Sequence, residues 1–275
     1  MGVLERELAY HEKLYSGFAQ AHFARPAVRA LRRHMAARIL RATGAGPRSR
    51  VLSLGCGIGD TELLLAPQVG EVVGVDLSPA AVRQAREDAT RMGVANARFL
   101  EGAAADAATG RFDAVVAVFF LHHLADAPLA DLPRQVRERL APGGVFYSLD
   151  PSRRRLSGVV GRALFPKLMR RYQTPDEREL DPEGTAGLFR AAGFETRVDM
   201  YDFGSSPLAG LAPGWEAGYR AARWLDDGLL RVTALRRRGS NFEVIARRGD
   251  SPMGIPLGGP RAQPAAAFLP DLPAL

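Results

Sequence analysis

The chain has 275 residues, of which 47% are hydrophobic and 24% charged, the balance of an ordinary globular protein. No apolar run reaches the ~20 residues of a membrane-spanning helix, the charged N-terminus lacks the apolar core of a secretion signal, and the lone Cys56 excludes an intrachain disulfide. The net charge of +7 is compatible with an anionic partner, but the interpretation that we favour places the arginines on solvated faces. These features predict a soluble, cytoplasmic protein.

Residues 1–43 are predicted to be helical, since Ala, Leu and Arg are good helix formers. Pro26 suits the first position of a helix. Apolar residues recur behind it at helical spacing and are expected to face a core: Val28, Leu31, Met35, Ile39 and Leu40. With Tyr10, Tyr15 and Phe18, these helices are expected to form an N-terminal lid.

Strands alternate with helices from Val51 onward, which is typical of a parallel sheet covered on both faces. The predicted strands are Val51–Leu54, Glu71–Val75, Ala97–Leu100, Phe112–Phe120, Val145–Leu149, Phe194–Tyr201 and Asn241–Arg247. The predicted helices between them are Asp60–Ala66, Pro79–Met92, Asp131–Leu140 and Pro182–Ala192. We therefore predict an α/β fold with a seven-stranded, mostly parallel sheet, helices on both faces, N-terminal helices and two cap insertions.

Two insertions and a tail interrupt this alternation. The main domain is predicted to span residues 44–249, with cap insertions at 152–180 and 203–239, and the Pro/Gly/Ala-rich tail at 250–275 is predicted to be disordered. The first insertion carries an Arg-rich amphipathic stretch, either a lid over a pocket, which we favour, or a helix that touches a membrane. In the second, Trp215, Tyr219 and Trp224 are expected either to line a pocket or to form a small cap core.

The stretch VLSLGCGIGD, from Val51 to Asp60, predicts a buried strand, a glycine turn and the start of a helix. Glycine has no Cβ, so a ligand can lie against the backbone of such a turn. A dinucleotide fingerprint needs glycine at position 60, where Asp60 stands. Asp76 closes the next strand, where a carboxylate can accept hydrogen bonds from both hydroxyls of a ribose. The two strands therefore predict a site for a ribose-containing ligand without a pyrophosphate.

Four pieces of the chain occur in an order that resembles the class I S-adenosylmethionine-dependent methyltransferases of the small-molecule type. They are VLSLGCGIGD at 51–60, VVGVDLSPAAV at 72–82, RFDAVVAVFFLHHL at 111–124 and LAPGGVFYSLD at 140–150. The resemblance covers about 51–151 closely and the later strands loosely. It implies a Rossmann-like sheet, methyl transfer, and S-adenosyl-L-methionine as the cofactor.

The resemblance also implies where the cofactor lies: its methionine part on the glycine turn, its ribose at Asp76, its adenine near Leu77 and its sulfonium beside the end of the fourth strand. The residues so assigned are Gly55, Cys56, Gly57, Gly59, Asp76, Leu77, Ala103, Ala104, Val118 and Phe119. The family often has an acid after the third strand for the adenine amine. Ala103 and Ala104 stand there instead, which leaves Asp106 or backbone groups as the alternatives.

By the same resemblance, His122 or His123 is the expected catalytic base, with Asp150 as its partner. A neutral imidazole has a suitable pKa for taking a proton from an oxygen or carbon acid. The alternative is that at least one histidine packs or caps a turn. Cys56 is expected to contribute its backbone, not its sulfur. No cluster has metal-ligand spacing, and Phe119 stands where a carboxylate would hold a metal, so no metal is predicted.

The predicted function is methyl transfer to a small-molecule acceptor, preferably at oxygen, in secondary metabolism. Three alternatives remain open: a quinone or isoprenoid lipid as the acceptor, RNA as the acceptor, and a protein that binds the cofactor without turnover. We do not expect a nucleic-acid partner, because no RNA-binding appendage is recognisable. Peripheral membrane contact is not favoured, and the sequence gives no indication of the oligomeric state.

Overall fold

The computed structural model of the protein describes residues 22, 24–103, 109–155, 179–232, 235 and 237–249. The predictions for Tyr10, Tyr15 and Phe18, for most of the first insertion and for the tail at 250–275 lie outside these ranges. Within them, no helix is both long enough and apolar enough to cross a bilayer.

The described part of the chain contains seven α-helices and seven strands. The helices are α1 (Pro26–Thr43), α2 (Glu62–Leu65), α3 (Pro79–Arg91), α4 (Asp126–Arg139), α5 (Pro182–Ala191), α6 (Ser205–Leu211) and α7 (Glu216–Leu229). The strands are β1 (Arg50–Leu54), β2 (Glu71–Asp76), β3 (Ala97–Glu101), β4 (Phe112–Val118), β5 (Leu140–Pro151), β6 (Phe194–Asp202) and β7 (Asn241–Arg248). Short 3₁₀ turns lie at Ala66–Gln68 and Leu121–His123.

All seven strands form one sheet in the order β3-β2-β1-β4-β5-β7-β6. The neighbours from β3 to β5 are parallel, whereas β7 runs antiparallel to both β5 and β6. The predicted seven-stranded, mostly parallel sheet is confirmed. Because β1, β2, β4 and β5 run in one direction, their carboxyl ends meet at a single edge, where ligands bind in sheets of this kind.

Helices cover both faces of the sheet, as predicted. On one face α4 and α5 pack against side chains from alternate strand positions; this cluster includes Leu52, Val73, Val115, Phe146, Leu132, Val136 and Phe189. On the other face lie α1, α6 and α7; this cluster includes Val51, Val72, Val116, Tyr147, Met35, Ile39, Ala209 and Tyr219. The strands that contribute to both clusters are buried on both sides, which explains their nearly continuous apolar sequence.

Helix α1 begins at Pro26, as the sequence predicts, and is closed by Gly44 in the left-handed conformation. Of the five residues expected to face a core, four are buried and Leu40 is half-buried. The Ala27 N–H donates to the Pro213 carbonyl oxygen at 2.9 Å, which ties α1 to the loop between α6 and α7. The boundary that separates residues 1–43 from the main domain stays a prediction.

Helix α4 begins earlier than predicted, at Asp126 instead of Asp131. Pro128 lies in its first turn, where a missing N–H removes no intrahelical hydrogen bond. Pro133 consequently lies in the interior of the helix and not near its start. The sequence prediction was wrong because it read the first of these prolines as part of a loop.

Further boundaries differ from the predictions, and β4, for example, ends at Val118 instead of Phe120. Strand β5 begins at Leu140 instead of Val145. Its pairing with β4 has an irregular register between Phe112 and Ala114 of β4. The helix predicted at Asp60–Ala66 is reduced to the single turn of α2, because the 3₁₀ turn that contains Pro67 replaces its end.

The second insertion forms α6 and α7, which pack against α1. Tyr219 is buried in the core beneath them, whereas Trp215 and Trp224 are 59% and 75% exposed. Tyr219 therefore belongs to the core of the cap, whereas both tryptophans face the solvent.

Candidate functional site

The glycine turn after β1 takes its shape from three residues with positive φ: 66° at Gly55, 53° at Gly57 and 77° at Gly59. Side chains other than glycine rarely adopt this conformation. The N–H groups of Gly55 and Cys56 both donate to the Val75 carbonyl oxygen, at 2.8 and 3.1 Å. The turn is thereby fixed to the end of β2, at the carboxyl edge of the sheet.

Asp76, the last residue of β2, holds the same turn through its side chain. One carboxylate oxygen accepts from the Gly57 N–H at 2.7 Å and the other from the Ser78 N–H at 2.9 Å. The side chain remains partly exposed. A carboxylate has about four acceptor positions, so Asp76 retains capacity for hydroxyl donors from a ligand.

The turn after β4 contacts the glycine turn directly. A Cβ at Gly55 would lie 2.3 Å from Cδ2 of Phe120, so the ring of Phe120 occupies the space that a side chain would need. Phe119, next to it, has a φ of 54°, which is uncommon for a residue other than glycine. Strain of this kind persists where the surrounding structure enforces it, often at functional sites.

His122 and Asp150 form a buried pair in the same region. The Asp150 carboxylate oxygen Oδ1 lies 2.9 Å from Nδ1 of His122 and accepts from the His122 backbone N–H at 3.2 Å. Burial raises the pKa of Asp150, and the hydrogen bonds from His122 oppose that rise. When Nδ1 donates to the carboxylate, the neutral ring carries its basic lone pair on Nε2.

The adjacent His123 contacts the ring of His122, with 4.0 Å between the ring centroids and a tilt of 39°. His123 is half-buried, and the hydrogen bonds described for Asp150 come from His122. The structure therefore brings Asp150 to one histidine of the two.

A second buried carboxyl lies under the glycine turn, which the sequence analysis missed. The hydroxyl of Ser53 on β1 donates to Glu62 Oε1 at 2.5 Å, and both residues are buried. Burial raises the pKa of Glu62 to about 7, although the Ser53 hydrogen bond lowers it. No sequence signal pairs these positions, because the contact depends on how the turn folds back over β1.

An ion pair links α1 to the glycine turn. Nε of Arg32 lies 2.6 Å from the Asp60 carboxylate, and the Arg32 guanidinium lies 5.9 Å from the ring centroid of Phe119. In the sequence, Asp60 stands out only as a departure from a glycine fingerprint. Its partner comes from a helix outside the alternating strands and helices, so sequence spacing offers no way to find it.

The remaining predicted positions are distributed around this edge. Leu77, directly after Asp76, is 41% exposed, and Ala103 is exposed as well. Val118 is half-buried at the end of β4. Ala104 and Asp106 lie outside the described residues.

Cys56 packs as a small apolar side chain. A Cβ at Gly74 would lie 2.8 Å from its sulfur, and burial raises the pKa of the thiol well above its usual value. A buried thiol of this kind is inert. Among the residues that the structure describes, no group of three His, Cys, Asp or Glu could hold a metal ion.

Taken together, the edge offers backbone at close range, a partly exposed carboxylate, an exposed apolar side chain and a buried His–Asp pair. Leu77 and the carboxylate of Asp76 suit an apolar ring and the hydroxyls of one ligand. That the ligand of this edge contains a ribose and no pyrophosphate stays a prediction.

Comparison with known proteins agrees with this geometry. Residues 51–144 match the family described as "Methyltransferase domain". An uncharacterized methyltransferase from Synechocystis is 35% identical over 106 residues, which are 38% of this chain and 48% of that protein. A 23S rRNA (uracil(1939)-C(5))-methyltransferase from Xylella fastidiosa is 49% identical over 69 residues, 25% of this chain and 16% of that protein.

Among solved structures, the magnesium protoporphyrin IX methyltransferase of Synechocystis with bound SAH is similar in fold. Its TM-score is 0.55 at 16% identity, over 81% of this chain and 84% of that one. The chain matches less than half the length of either curated relative named above. The family match therefore identifies residues 51–144 as a methyltransferase domain, and the fold of the chain is similar to that of the solved methyltransferase.

Proposed function

We propose that this protein transfers a methyl group from S-adenosyl-L-methionine to a small-molecule acceptor, most readily at an oxygen. The observation that carries the proposal is the buried His122–Asp150 pair, which lies at the carboxyl edge of the sheet beside the glycine turn. An acceptor hydroxyl must lose its proton as it attacks, and a histidine oriented by a carboxylate is suited to take that proton.

The residues at the edge fit this cofactor. The positive-φ glycines would let its methionine part lie on the backbone, Asp76 would accept from its ribose hydroxyls, and Leu77 would contact its adenine. When bound there, the cofactor supplies an electrophilic methyl group on a sulfonium. The family often has an acid at the position of Ala103. In this chain the adenine amine would need a hydrogen-bond partner from another position.

The protein's own contribution is positioning and proton transfer. Asp150 would fix the ring of His122 with Nδ1 as donor, and Nε2 would accept the acceptor's proton. Phe119 and Phe120 shape the surface between this pair and the glycine turn. Alignment of the reacting atoms supplies much of the rate in such a reaction.

RNA is the second candidate acceptor. A specific observation favours it: the similarity to an rRNA methyltransferase reaches 49% identity, although over only 25% of this chain. The match covers only 16% of that protein, and proteins that share part of a fold can differ in the molecule they act on. We therefore retain the small molecule as the preferred acceptor.

Calorimetry with S-adenosylhomocysteine tests cofactor binding, which all the methyl-transfer proposals require. We expect binding by the wild type and loss of affinity in Asp76→Ala, because that change removes the acceptor for the ribose and the anchor of Gly57. Asp113→Ala is the matched control, since Asp113 accepts the Arg50 N–H at the start of β4, at the opposite edge. No heat of binding for the wild type at high micromolar ligand would contradict every methyl-transfer proposal.

The acceptor class is tested with methyl-labelled cofactor and fractionated cell extract. Label in a nuclease-resistant, low-molecular-weight fraction supports the small-molecule proposal, and mass spectrometry then identifies the product. Label in a high-molecular-weight fraction that ribonuclease releases selects RNA instead. Label in a solvent-extracted lipid fraction selects a quinone or isoprenoid acceptor.

A further inference from the structure

Helix α7 turns two of its charged side chains toward the protein. Arg223 and Asp226 are buried against β6 and the start of α6. Arg223 donates to the Tyr201 carbonyl oxygen at 2.8 Å and to Asp227 at 2.7 Å, while Asp226 accepts from the backbone N–H of Ser205 at 2.9 Å. These polar contacts, together with the buried Tyr219, fix which face of the helix points to the protein.

The opposite face of α7 is apolar and exposed. Along α7 and directly after it, the exposed residues other than arginine are Ala217, Ala221, Trp224, Leu225, Gly228, Leu229 and Val232. Leu225 is 55% exposed, and Trp224 even more so. Leu211 and Trp215 extend this surface at the end of α6 and in the following loop. We call this set of exposed residues the α7 face.

The exposed charged residues on the α7 face and in the chain after it are arginines. They are Arg220, Arg231, Arg237 and Arg238. Between residues 211 and 232, by contrast, no Asp or Glu is exposed. Glu216 pairs with Arg220, and Asp227 is half-buried against Arg223. Apart from these pairs, Arg231, Arg237 and Arg238 add positive charge after the apolar surface, and this charge complements an anionic partner.

We infer that the α7 face docks on the surface of an anionic lipid bilayer, with α7 lying in the plane of the interface. Helices that bind membranes in this way carry Trp and Leu on one face and Arg at the borders of that face. A second copy of the chain is a poorer occupant, because a two-fold contact through this face would place arginines near arginines. The inference does not depend on the methyl acceptor or on methyl transfer.

The chain offers its own reporter for this contact. It contains two tryptophans, Trp215 and Trp224, and both belong to the α7 face. With the full chain, we expect emission at long wavelength and ready quenching by acrylamide in buffer. Adding vesicles of phosphatidylglycerol and phosphatidylcholine should shift the emission to shorter wavelength, protect it from acrylamide, and carry the protein into the vesicle pellet. Added NaCl should weaken the binding, because it screens the arginines.

Two substitutions on exposed helical positions provide the matched comparison. Ala221→Glu places a charge on the α7 face, whereas Ala130→Glu places the same charge on α4, on the other side of the sheet. Leu225→Glu removes an exposed leucine as well, and we expect it to weaken partitioning by about tenfold or more. The Ala130→Glu variant should bind vesicles as the wild type does. Thermal unfolding monitored by circular dichroism establishes that all three variants fold.

Four outcomes would overturn the inference. The first three are no binding to anionic vesicles at low salt, equal binding to purely zwitterionic vesicles, and a loss of binding in the Ala130→Glu control as large as that in the variants of the α7 face. The fourth is quencher-resistant, short-wavelength emission in buffer alone, which means that the free protein already covers the surface. If that emission depends on protein concentration and light scattering gives the mass of a dimer, the occupant is a second copy.

Discussion

Asp150 binds both the ring and the backbone of His122: its Oδ1 lies 2.9 Å from Nδ1 and 3.2 Å from the backbone nitrogen. Asp150 comes from β5 and His122 from the turn after β4, and these strands are neighbours in the sheet. One carboxylate oxygen thus fixes the position of the turn and the orientation of the imidazole together. His123, one residue on, lies against the His122 ring instead.

This relationship predicts unequal roles for the two histidines. We expect His122→Ala to lower kcat by about 10²–10⁴, the usual contribution of a general base, while S-adenosylhomocysteine binding is retained. Asp150→Asn should lower kcat as well and change its pH profile, because the amide no longer favours Nδ1 as the donor. His123→Ala should have a much smaller effect on kcat.

Steady-state kinetics with the identified acceptor, together with calorimetry, measures these effects. Full turnover in His122→Ala would show that positioning alone drives the reaction. A larger loss of kcat in His123→Ala than in His122→Ala would assign the base to the other histidine.

Gly55 is predicted to tolerate no side chain. An added Cβ would meet the ring of Phe120, and the φ of 66° disfavours other residues. Gly44→Ala is the matched control, since Gly44 has a φ of 71° but no atom within 4 Å of the added Cβ. We expect Gly44→Ala to cost about 1–2 kcal/mol of stability through its backbone alone.

The free energy of unfolding, measured with urea, should fall further in Gly55→Ala than in Gly44→Ala. Only Gly55→Ala should also lose affinity for S-adenosylhomocysteine, because the turn and the Phe120 ring must move apart. Equal stability and equal affinity in the two variants would contradict the close contact.

Glu62 predicts a pH dependence of stability. Its pKa of about 7 in the folded protein exceeds the ordinary 4.5, so the folded state favours the protonated form. The corresponding stabilisation is complete below pH 4.5 and is lost as the pH rises through 7. It amounts to something on the order of 3 kcal/mol. Glu62→Gln cannot ionise and keeps an oxygen that can accept from Ser53.

Unfolding by urea between pH 4.5 and 8 should therefore give a flatter profile for Glu62→Gln than for the wild type. Glu138→Gln, an exposed position on α4, should leave the wild-type profile unchanged. The prediction fails if the Glu62→Gln profile keeps the wild-type slope.

Arg38 and Glu243 form a buried ion pair between α1 and β7. Nε of Arg38 donates to Glu243 Oε1 at 3.0 Å, and the Tyr147 hydroxyl donates to the same oxygen at 2.6 Å. Although burial lowers the pKa of Arg38, the carboxylate outweighs this effect and raises the pKa above its ordinary value. Arg38→Met leaves a buried carboxylate without its cation, which should cost about 3–5 kcal/mol.

Urea denaturation of single and double variants tests the pair. The double variant Arg38→Met/Glu243→Met should recover much of the loss, because it removes both charges. Arg134→Met, which breaks an exposed pair with Asp131, should cost less than about 1 kcal/mol. A loss no larger for Arg38→Met than for Arg134→Met would contradict the burial of the pair.

The sequence alone determined the order and type of most strands and helices. Buried strands such as Val72–Val75 are continuous apolar runs, and turns such as Ser78-Pro79 carry their own capping chemistry; in the structure the Ser78 hydroxyl accepts from the Ala81 N–H. These signals are local, so they can be read along the chain. The boundary near Pro128 was misplaced, because a proline is tolerated both in a loop and in a first helical turn. The start of β5 was misplaced because the strand already pairs at Leu140, before an irregular register that the Pro-Gly-Gly segment spans.

The sequence also determined which positions gather at the carboxyl edge, since parallel strands bring their ends together. Only the tertiary structure decided how those positions contact one another. It selected His122 over His123 for Asp150, placed Ser53 under Glu62, and brought Arg32 of α1 to Asp60. It also turned Arg223 and Asp226 of α7 inward and Trp224 outward. Such contacts join residues far apart in the chain, and their geometry depends on packing between elements, which no local pattern encodes.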